Sequence, residues 1–494
     1  MVGKLMIQGT MSGVGKSLIT AGLCRILKQD GYSPTPFKSQ NMALNSFVTR
    51  DGAEIGRAQA MQAYAAGLEP DAAMNPILLK PTDDTGSQVI VNGHPIGSMS
   101  AREYFAFKPK LKPVIKEACE SLTAAHDPII IEGAGSPAEI NLKENDIVNM
   151  GLAKMLDAPV LLVADIDRGG VFAQLYGTVM LLDGEERSRI KGFIINKFRG
   201  DPSLLDSGIR EIEEKTGISV AGVIPFIPDL KLEDEDSLTE RFETACDNDA
   251  HIKIAVIRLP RISNFSDLDP FEQNKDVCVF YTTDPGELQK ADLIVIPGSK
   301  NTIADMRFMQ EAGLKGALCK LAGDIPVIGI CGGLQMLGNM IEDPDGTESG
   351  GSVQGLGLLP VDTTLLPHKR QTRVSVNLDT GIRGIFRGLS GISCEGYEIH
   401  AGRSAFTGSD KPVPALISTD RDVYGTYIHG FFDKAEITVS ILKALASRKG
   451  LSPDLSCQTD QRIFRETRYD LLASVLRRHA DLNRIKQLTF GSSL

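Results

Sequence analysis

Cys331 and His429 are the residues whose types and surroundings point most directly to chemistry. Cys331 lies in the run IGICGGLQMLG, where Gly329 and Gly333 complete a G-x-nucleophile-x-G pattern. This pattern is typical of a sharp turn between a buried strand and a helix, which exposes the nucleophile and favours its thiolate. His429, in YGTYIHGFFD, is predicted to end another strand at the same sheet edge. It would accept the thiol proton and later protonate a leaving group.

Two backbone N–H groups are candidates for stabilising the oxyanion that forms when a thiolate attacks an amide. One belongs to Gly332, directly after the nucleophile, and the other to Gly298 in IVIPGSKNT, at the end of a further strand. Donors aimed at such an oxygen lower the barrier of acyl transfer. Tyr397 in GYEIHAGRS is a candidate for binding the amide substrate, and His400 is assigned a structural or substrate-contacting role. Together these residues predict a module that hydrolyses an amide to release ammonia.

A second constellation lies near the start of the chain. The run TMSGVGKS, from Thr10 to Ser17, follows an apolar strand and opens a helical stretch, with Thr10 where the usual pattern has its first glycine. Backbone N–H groups of such a loop converge on phosphate oxygens, and Gly13 and Gly15 let the ligand approach closely. Lys16 would reach the β- and γ-phosphates, and Ser17 would hold Mg²⁺. The sequence therefore predicts ATP and Mg²⁺ as cofactors, the alternative being a glycine-rich turn without a ligand.

These residues need a scaffold that brings several strand ends to one edge. Short apolar runs alternate with amphipathic stretches in the first half of the chain, at 4–8, 128–131, 159–164 and 192–195. Similar runs recur in the second half, at 251–257, 276–280, 292–297, 326–330 and 423–429. Runs of this kind favour parallel sheets covered by helices on both faces. We therefore predict an α/β fold with two doubly wound domains.

The acidic, strand-poor run LEDEDSLTERFETACDNDA separates the two halves. We predict a nucleotide-binding domain at 1–232, a linker at 233–250, a second α/β domain at 251–440 and a helical tail at 441–494. The helical periodicity of the tail begins near Ala435, with apolar residues at Ile437, Ile441, Leu442 and Leu445.

Composition excludes several classes of protein. Hydrophobic residues make up 42% and charged residues 23% of the 494 positions, which is ordinary for a soluble globular protein. The net charge of -10 argues against a nucleic-acid partner. No apolar stretch approaches about 18 residues and no leader precedes the first strand, so neither a membrane span nor a signal peptide is expected. The cysteines other than Cys331 are scattered singly and are expected to be reduced in a cytoplasmic protein.

GTMSGVGKS resembles the variant phosphate loop of the dethiobiotin synthetase-like ATPases, whose members activate carboxylates by phosphorylation. The resemblance implies that Lys38 completes the ATP site, that Asp51 and Glu132 join Ser17 as metal ligands, and that Asn196 reads the adenine. Glu132 follows a buried strand, at the edge where parallel sheets bind ligands. A turn carboxylate at Glu132, a surface turn at Asp51 and a simple left-handed turn at Asn196 are the alternatives.

The second half resembles the class I, triad-type glutamine amidotransferases, which implies that the amide hydrolysed is that of glutamine. In that class a Glu usually stands two residues after the histidine, whereas this sequence has Phe431 there. The orienting carboxylate is therefore missing from its usual place. Asp433 and Glu398 are the candidates to replace it, and the sequence does not decide between them.

Nine motifs between Gly9 and Asp433 together resemble those of the cobyric acid synthase family. In chain order they are GTMSGVGKS, FKSQNMALNS, DGAEIGRAQA, DIDRGGVFA, NKFRGD, PGSKNT, GICGGLQMLG, GYEIHAGRS and YIHGFFD. This resemblance implies ATP- and glutamine-dependent amidation of the b, d, e and g carboxylates of a corrinoid, adenosylcobyrinic acid a,c-diamide, in cobalamin biosynthesis. Asp165, Asp167 and Arg168 would then contact the corrinoid or the ammonia-receiving site, with a plain polar turn as an equal alternative.

Three rival assignments share part of this pattern. Cobyrinic acid a,c-diamide synthase has the same architecture, but FKSQNMALN and ADIDRGG favour the first assignment. A ParA/MinD-like ATPase switch has the phosphate loop but no need for the cysteine turn and distant histidine. A scaffold with a degenerate amidotransferase module is the third rival, and Phe431 is the residue that raises it.

Overall fold

The computed structural model describes residues 2–81, 86–228, 230–232, 242 and 250–491. The chain forms two compact units. The first comprises Met1–Ala43, Ala53–Ser237 and Arg465–Leu494, and the second comprises Leu44–Gly52 and Leu238–Phe464. This division differs from the domains proposed from sequence in two ways, since a short early segment groups with the second unit and the C-terminal residues group with the first. The proposed linker at 233–250 lies, apart from positions 242 and 250, outside the described residues.

The first unit is built on a six-stranded, fully parallel sheet. Its strands lie in the spatial order Val220–Pro225, Ile190–Phe198, Val160–Asp165, Lys4–Gly9, Ile129–Glu132 and Thr35–Phe37. The strands Ile129–Glu132 and Val160–Asp165 are buried along their whole length, and Lys4–Gly9 is buried after Lys4, because helices cover both faces of the sheet. Glu132 and Asp165 end two of these strands at the carboxyl edge. The predicted α/β class of this half is confirmed.

Helices flank this sheet, and a smaller antiparallel-rich sheet lies in the same unit. The helices are Lys16–Gln29, Arg57–Ala66, Ala101–Thr123, Met150–Leu156, Val171–Leu181, Gly184–Arg189, Asp206–Thr216, most of Gln461–His479, and Leu482–Phe490. The smaller sheet contains Gln40–Met42, Ile77–Pro81, Gly86–Val91 and His94–Ser100, and Glu54–Gly56 is a further short strand.

The C-terminal helices complete the core of the first unit instead of forming a separate tail. Leu472 and Leu476 are buried with Ile19 and Leu23 of the helix that follows the phosphate loop. Gly22 allows this approach, since a Cβ there would lie 2.3 Å from Leu476 Cδ1. The last part of the chain therefore supports the element that begins at the phosphate loop.

The second unit repeats the doubly wound design. Its main sheet has the spatial order Val277–Thr282, Ile252–Ile257, Leu293–Ile296, Val327–Ile330, Val423–Thr426 and Ile417–Ser418, with only the last strand antiparallel. Its α-helices are Thr302–Glu311, Leu314–Leu321, Gly332–Leu337 and Ala435–Arg448. A second sheet contains Gly351–Gln354, Met340–Asp343, Val361–Asn377 and Ser393–Phe406, and the short strands Ile262–Ser263 and Gly298–Ser299 pair with each other. Ser46–Val48 is a short strand of the early segment.

One strand end differs from the prediction in a way that matters for the site. The strand predicted to reach His429 ends at Thr426. There the Thr426 hydroxyl accepts a hydrogen bond from the N–H of Ile428, at 3.1 Å, as the chain leaves the sheet. His429 instead pairs with Tyr397, each donating its N–H to the other's carbonyl at 2.8 and 3.1 Å.

Cysteine chemistry is mostly as expected. Cys331 and five other cysteines are free: Cys24, Cys119, Cys319, Cys394 and Cys457. Cys278 is disulfide-bonded, so the expectation of a reduced thiol is wrong at that position. Within the part of the chain that the structure describes, no helix is long and apolar enough to cross a membrane.

Candidate active sites

Cys331 sits on a strained turn at the end of the strand Val327–Ile330. Its φ of 53° and ψ of −107° lie in a region that residues with a side chain seldom adopt. The neighbouring glycines make the turn possible. A Cβ on Gly333 would lie 2.0 Å from the carbonyl oxygen of Ile296, and one on Gly329 would lie 2.5 Å from the Gly333 backbone. Strain of this kind costs about 1–3 kcal/mol and is typical of functional positions.

His429 is held by a buried carboxylate from a distant part of the sequence. Its Nδ1 lies 2.7 Å from Oδ2 of Asp267, and the other carboxylate oxygen accepts the N–H of Gly430 at 2.8 Å. Both side chains are almost fully buried, at 1% and 4% exposure. The first bond holds Nδ1 to the carboxylate and the second holds the carboxylate in place, so Nε2 is the nitrogen left for proton transfer.

The electrostatics of His429 favour its charged form. Burial by itself would lower the pKa of the imidazole, but the Asp267 carboxylate and the Cys331 side chain outweigh burial and raise the pKa to about 10. His429 Nε2 is buried, and a hydrogen bond between the imidazole and the Cys331 side chain contributes to the raised pKa. The Cys331 thiol, which is itself buried, donates weakly to the carbonyl of Ile399 at 3.6 Å. The arrangement suits a nucleophile beside an imidazolium.

Asp267 was not identified from the sequence. It is the carboxylate that contacts His429, in place of the Glu that is usual at the position of Phe431. Of the two carboxylates considered, Glu398 pairs with Arg370 at 2.5 Å and with His400 at 3.5 Å, so it is engaged elsewhere. Asp433 likewise does not occupy Nδ1, which Asp267 takes. The only trace in the sequence is the run NFSDLDPF, where acidic and apolar residues alternate. That run folds as the 3₁₀ helix Phe265–Gln273, which is buried through Phe271.

The two candidate oxyanion residues border this pair. A Cβ on Gly298 would lie 3.2 Å from Cε1 of His429, and one on Gly332 would lie 2.9 Å from the backbone nitrogen of Ser299. The turn at Gly298 and the cysteine turn therefore lie side by side, with the imidazole next to them. This placement is what two backbone donors acting on one oxygen require.

Tyr397 and His400 lie on the strand Ser393–Phe406, beside the site. The Tyr397 ring stacks on the His429 ring at a centroid distance of 5.4 Å, and its hydroxyl donates to the carbonyl of Ser46 at 3.0 Å. His400 stacks on Tyr427 at 3.8 Å, and its Nδ1 lies 2.6 Å from the carbonyl of Gly402. Tyr397 thus supports the imidazole, and its predicted contact with glutamine stays a prediction.

The first unit places three of the predicted ATP-site residues in one buried cluster. Glu132 accepts hydrogen bonds from Ser17 Oγ at 2.8 Å and from Lys38 Nζ at 3.0 Å. Gln62 also donates to it, a partner that the sequence did not reveal. Burial would raise the pKa of Glu132, but Lys38, Gln62 and Ser17 outweigh burial and hold the pKa below its usual range. The carboxylate is therefore ionised beside the phosphate loop.

The phosphate loop has the shape expected of an anion site. Gly13 and Gly15 have φ values of 73° and 93°, and no side chain caps the helix Lys16–Gln29 that follows. Lys16 Nζ donates to the carbonyls of Met11 and Gly135, both at 3.1 Å, which folds the side chain over the loop. The Thr10 hydroxyl instead contacts Gln174, at 3.0 Å. The helix start and the loop together offer positive potential to phosphate oxygens.

Asn196 and Asp165 both reach this loop. Asn196 Nδ2 donates to the carbonyl of Val14 at 2.8 Å, and a Cβ on Gly15 would lie 2.3 Å from that nitrogen. Lys197 links Asp165 to the loop, since its Nζ lies 3.0 Å from the carboxylate and 2.7 Å from the carbonyl of Gly13. Adenine recognition by Asn196 remains a prediction.

The other predicted polar residues lie on exposed turns. Asp167 pairs with Arg199 at 3.0 Å, and Arg168 follows it in the same exposed turn. Asp51 is exposed, belongs to the Leu44–Gly52 segment of the second unit, and accepts a hydrogen bond from Thr49 at 2.5 Å. Among the described residues, no group of three or more His, Cys, Asp and Glu side chains could hold a metal ion. Ser17 and Glu132 offer oxygen atoms of the kind that Mg²⁺ prefers, and metal binding by these two residues and by Asp51 stays a prediction.

Fold and geometry together define a class of protein, a nucleotide-binding α/β unit joined to a cysteine–histidine amidotransferase unit. Family models agree with this division. Residues 5–239 match the CobQ/CobB/MinD/ParA nucleotide binding domain, and residues 253–437 match the CobB/CobQ-like glutamine amidotransferase domain.

Full-length relatives narrow the class to one family. A cobyric acid synthase of Lachnoclostridium phytofermentans is 49% identical, covering 99% of this chain and 99% of the relative. One from Ruminiclostridium cellulolyticum is 51% identical over 97% and 96% of the two chains, and one from Photorhabdus laumondii is 49% identical over 98% and 97%. The chain belongs to the cobyric acid synthase family, and it is an ATP-dependent ligase that uses glutamine. The predicted family, fold class and enzyme class are thereby confirmed.

Proposed function

We propose that the enzyme converts adenosylcobyrinic acid a,c-diamide into adenosylcobyric acid by amidating its b, d, e and g carboxylates with ATP, Mg²⁺ and glutamine. The observation that carries the proposal is the Cys331 turn beside the buried His429–Asp267 pair, in a chain that also holds the Ser17–Glu132 cluster. One half can release ammonia, and the other can bind a nucleoside triphosphate.

Glutamine hydrolysis follows from the geometry of the second unit. Cys331 Sγ attacks the side-chain carbonyl of glutamine, and the imidazolium of His429 gives its Nε2 proton to the departing ammonia. The backbone N–H groups of Gly332 and Gly298 stabilise the oxyanion. Water, deprotonated by the now neutral His429, then cleaves the thioester to glutamate. Asp267 keeps Nε2 directed at the reacting atoms throughout.

Carboxylate activation follows from the first unit. An oxygen of the corrinoid carboxylate attacks the γ-phosphorus of ATP, giving an acyl phosphate and ADP, and ammonia then displaces phosphate to form the amide. Lys16 and Lys38 stabilise the negative charge of the transferring group. Mg²⁺ bound by Ser17 and Glu132 would neutralise charge on the phosphates. Asp165 reaches the same loop through Lys197, which supports a role near the substrate.

Mass spectrometry of the corrinoid tests this proposal. The enzyme is incubated with ATP, Mg²⁺ and glutamine, and with either adenosylcobyrinic acid a,c-diamide or the unamidated cobyrinic acid. Four successive mass steps of one amide each on the a,c-diamide are expected. Turnover of the unamidated acid alone would instead identify a cobyrinic acid a,c-diamide synthase, and no mass step on either corrinoid would overturn the amidation itself.

A further inference from the structure

A short piece of the N-terminal sequence is built into the amidotransferase unit. Residues Leu44–Gly52 belong to the second unit, although the chain before and after them belongs to the first. Two asparagines fasten this segment. The side-chain oxygen of Asn45 accepts the N–H of Phe265 at 3.2 Å, and that of Asn264 accepts the N–H of Ser46 at 3.1 Å. We call this reciprocal pair of bonds the asparagine clasp.

The clasp lies at the start of the element that carries Asp267. Asn264 has a left-handed backbone, with φ of 52°, and it precedes the 3₁₀ helix Phe265–Gln273. The clasp therefore fixes the first turn of that helix, where Asp267 projects to His429. All four clasp residues are buried, so solvent does not compete for these hydrogen bonds.

The same segment also contacts the second support of the imidazole. The carbonyl of Ser46 accepts the hydroxyl of Tyr397 at 3.0 Å, and the Phe47 ring lies 5.3 Å from the Tyr397 ring. Tyr397 in turn stacks on His429 and pairs with its backbone. Val48 is fully buried in a small cluster with Tyr397. Both groups that hold His429 are thus themselves held by residues 45–48.

We propose that residues 45–48 are positioning residues of the glutaminase site, which keep Asp267 and Tyr397 in place against His429. The amidotransferase module defined by sequence alone is therefore incomplete, because part of its histidine support comes from the N-terminal half of the chain. This inference rests on the proposed glutamine hydrolysis. A small displacement of a catalytic group can cost about 100-fold in rate, so loss of the clasp should act on turnover rather than on binding.

The test uses the full-length chain and two substitutions at one clasp residue. Asn45→Ala removes the acceptor, whereas Asn45→Asp keeps an oxygen for the Phe265 N–H. For Asn45→Ala we expect glutamine-driven kcat to fall about 10- to 100-fold at nearly constant KM for glutamine, with ammonium-driven amidation unchanged. Asn45→Asp should restore most of the activity. Asn339→Ala is the matched control, because it also removes a side-chain hydrogen bond in the second unit, to Thr407.

A second variant keeps the test informative if Asn45→Ala does not fold. Tyr397→Phe removes only the hydroxyl that donates to Ser46 and keeps the ring against His429, so a several-fold fall in glutamine-driven kcat is expected. Wild-type glutamine turnover in both Asn45→Ala and Tyr397→Phe would overturn the positioning role while leaving the proposed function intact. A wild-type enzyme that does not hydrolyse glutamine would overturn the proposed function itself.

Discussion

The Nδ1 of His429 lies 2.7 Å from the carboxylate of Asp267, 162 positions earlier in the chain. This contact replaces the Glu that triad-type amidotransferases usually carry two residues after the histidine, a place that Phe431 fills here, fully packed in the core. The geometry of a triad is therefore present, with its carboxylate supplied by another element of the chain. The degenerate-scaffold alternative loses its main support, since the orienting carboxylate is present.

We expect Asp267→Asn to lower glutamine-driven kcat about 100- to 10,000-fold, because the amide neither stabilises the imidazolium nor fixes its tautomer. Ammonium-driven amidation should stay at the wild-type level. Steady-state assays with each nitrogen source measure the difference. Asp433→Asn is the control and should behave as wild type with glutamine. An equal fall in glutamine-driven kcat in both variants would show that Asp267 is not the carboxylate that orients His429.

The His429–Asp267 pair should also make stability depend on pH. The pKa of His429 in the folded protein, about 10, lies above its ordinary value of 6.5. The His429–Asp267 pair therefore contributes fully to the free energy of unfolding below about pH 6.5. This contribution is lost progressively between about pH 6.5 and 10, and it is absent above about pH 10. Urea unfolding of the wild type and of Asp267→Asn at several pH values measures this. The stability gap between them should shrink as the pH rises, and a constant gap would contradict the assignment.

Part of this site could be predicted from the sequence, and the rest could not, for a physical reason. Cys331, Lys16 and Ser17 lie in local motifs, where spacing alone fixes a turn and a helix start, so their placement needed no tertiary information. The short apolar runs likewise predicted the two parallel sheets, since strands that are buried in such sheets must be apolar on both faces.

Asp267 and the asparagine clasp depend on long-range packing. The bonds from Asn45 to Phe265 and from His429 to Asp267 join residues 220 and 162 positions apart. No local pattern distinguishes such a carboxylate or amide from one on a turn. The domain boundaries missed the Leu44–Gly52 segment for the same reason, because its membership of the second unit is decided by contacts and not by composition.

Replacing the nucleophile should separate the two half-reactions. Cys331→Ala is expected to abolish glutamine-driven amidation and to leave ammonium-driven amidation intact, because the first unit needs only ammonia. An electrophilic glutamine analogue should label the wild-type thiol and not the variant, as read by intact-protein mass spectrometry. Cys457→Ala, at an exposed free cysteine, is the control and should lose neither activity. Unimpaired glutamine use by Cys331→Ala would refute the thioester mechanism.

A substitution in the Glu132 cluster should abolish amidation with either nitrogen source and leave the reactivity of Cys331 intact, which is the opposite of the effect expected for Cys331→Ala. Glu132→Gln removes the carboxylate that pairs with the buried Lys38 ammonium at 3.0 Å, and with it the proposed metal ligand. We expect amidation to fail with both glutamine and ammonium, and the free energy of unfolding to fall by about 3–5 kcal/mol. Labelling of Cys331 by the glutamine analogue should persist, which shows that the second unit is folded. Glu211→Gln, which breaks only an exposed pair with Lys215, should change neither property.

The cysteine turn gives the sharpest steric prediction. A Cβ on Gly333 would lie 2.0 Å from the carbonyl oxygen of Ile296, and backbone atoms cannot yield as a flexible side chain can. Gly333→Ala should therefore displace the turn, remove analogue labelling of Cys331 and lower the melting temperature. Gly316→Ala is the matched control, since Gly316 lies in the helix Leu314–Leu321 and a Cβ there meets nothing within 4 Å. That control should be as stable as the wild type or slightly more so, because alanine favours the helix by about 1 kcal/mol. Full labelling of Gly333→Ala would mean that the turn tolerates a side chain, and that the glycine pattern around Cys331 does not reflect a steric requirement.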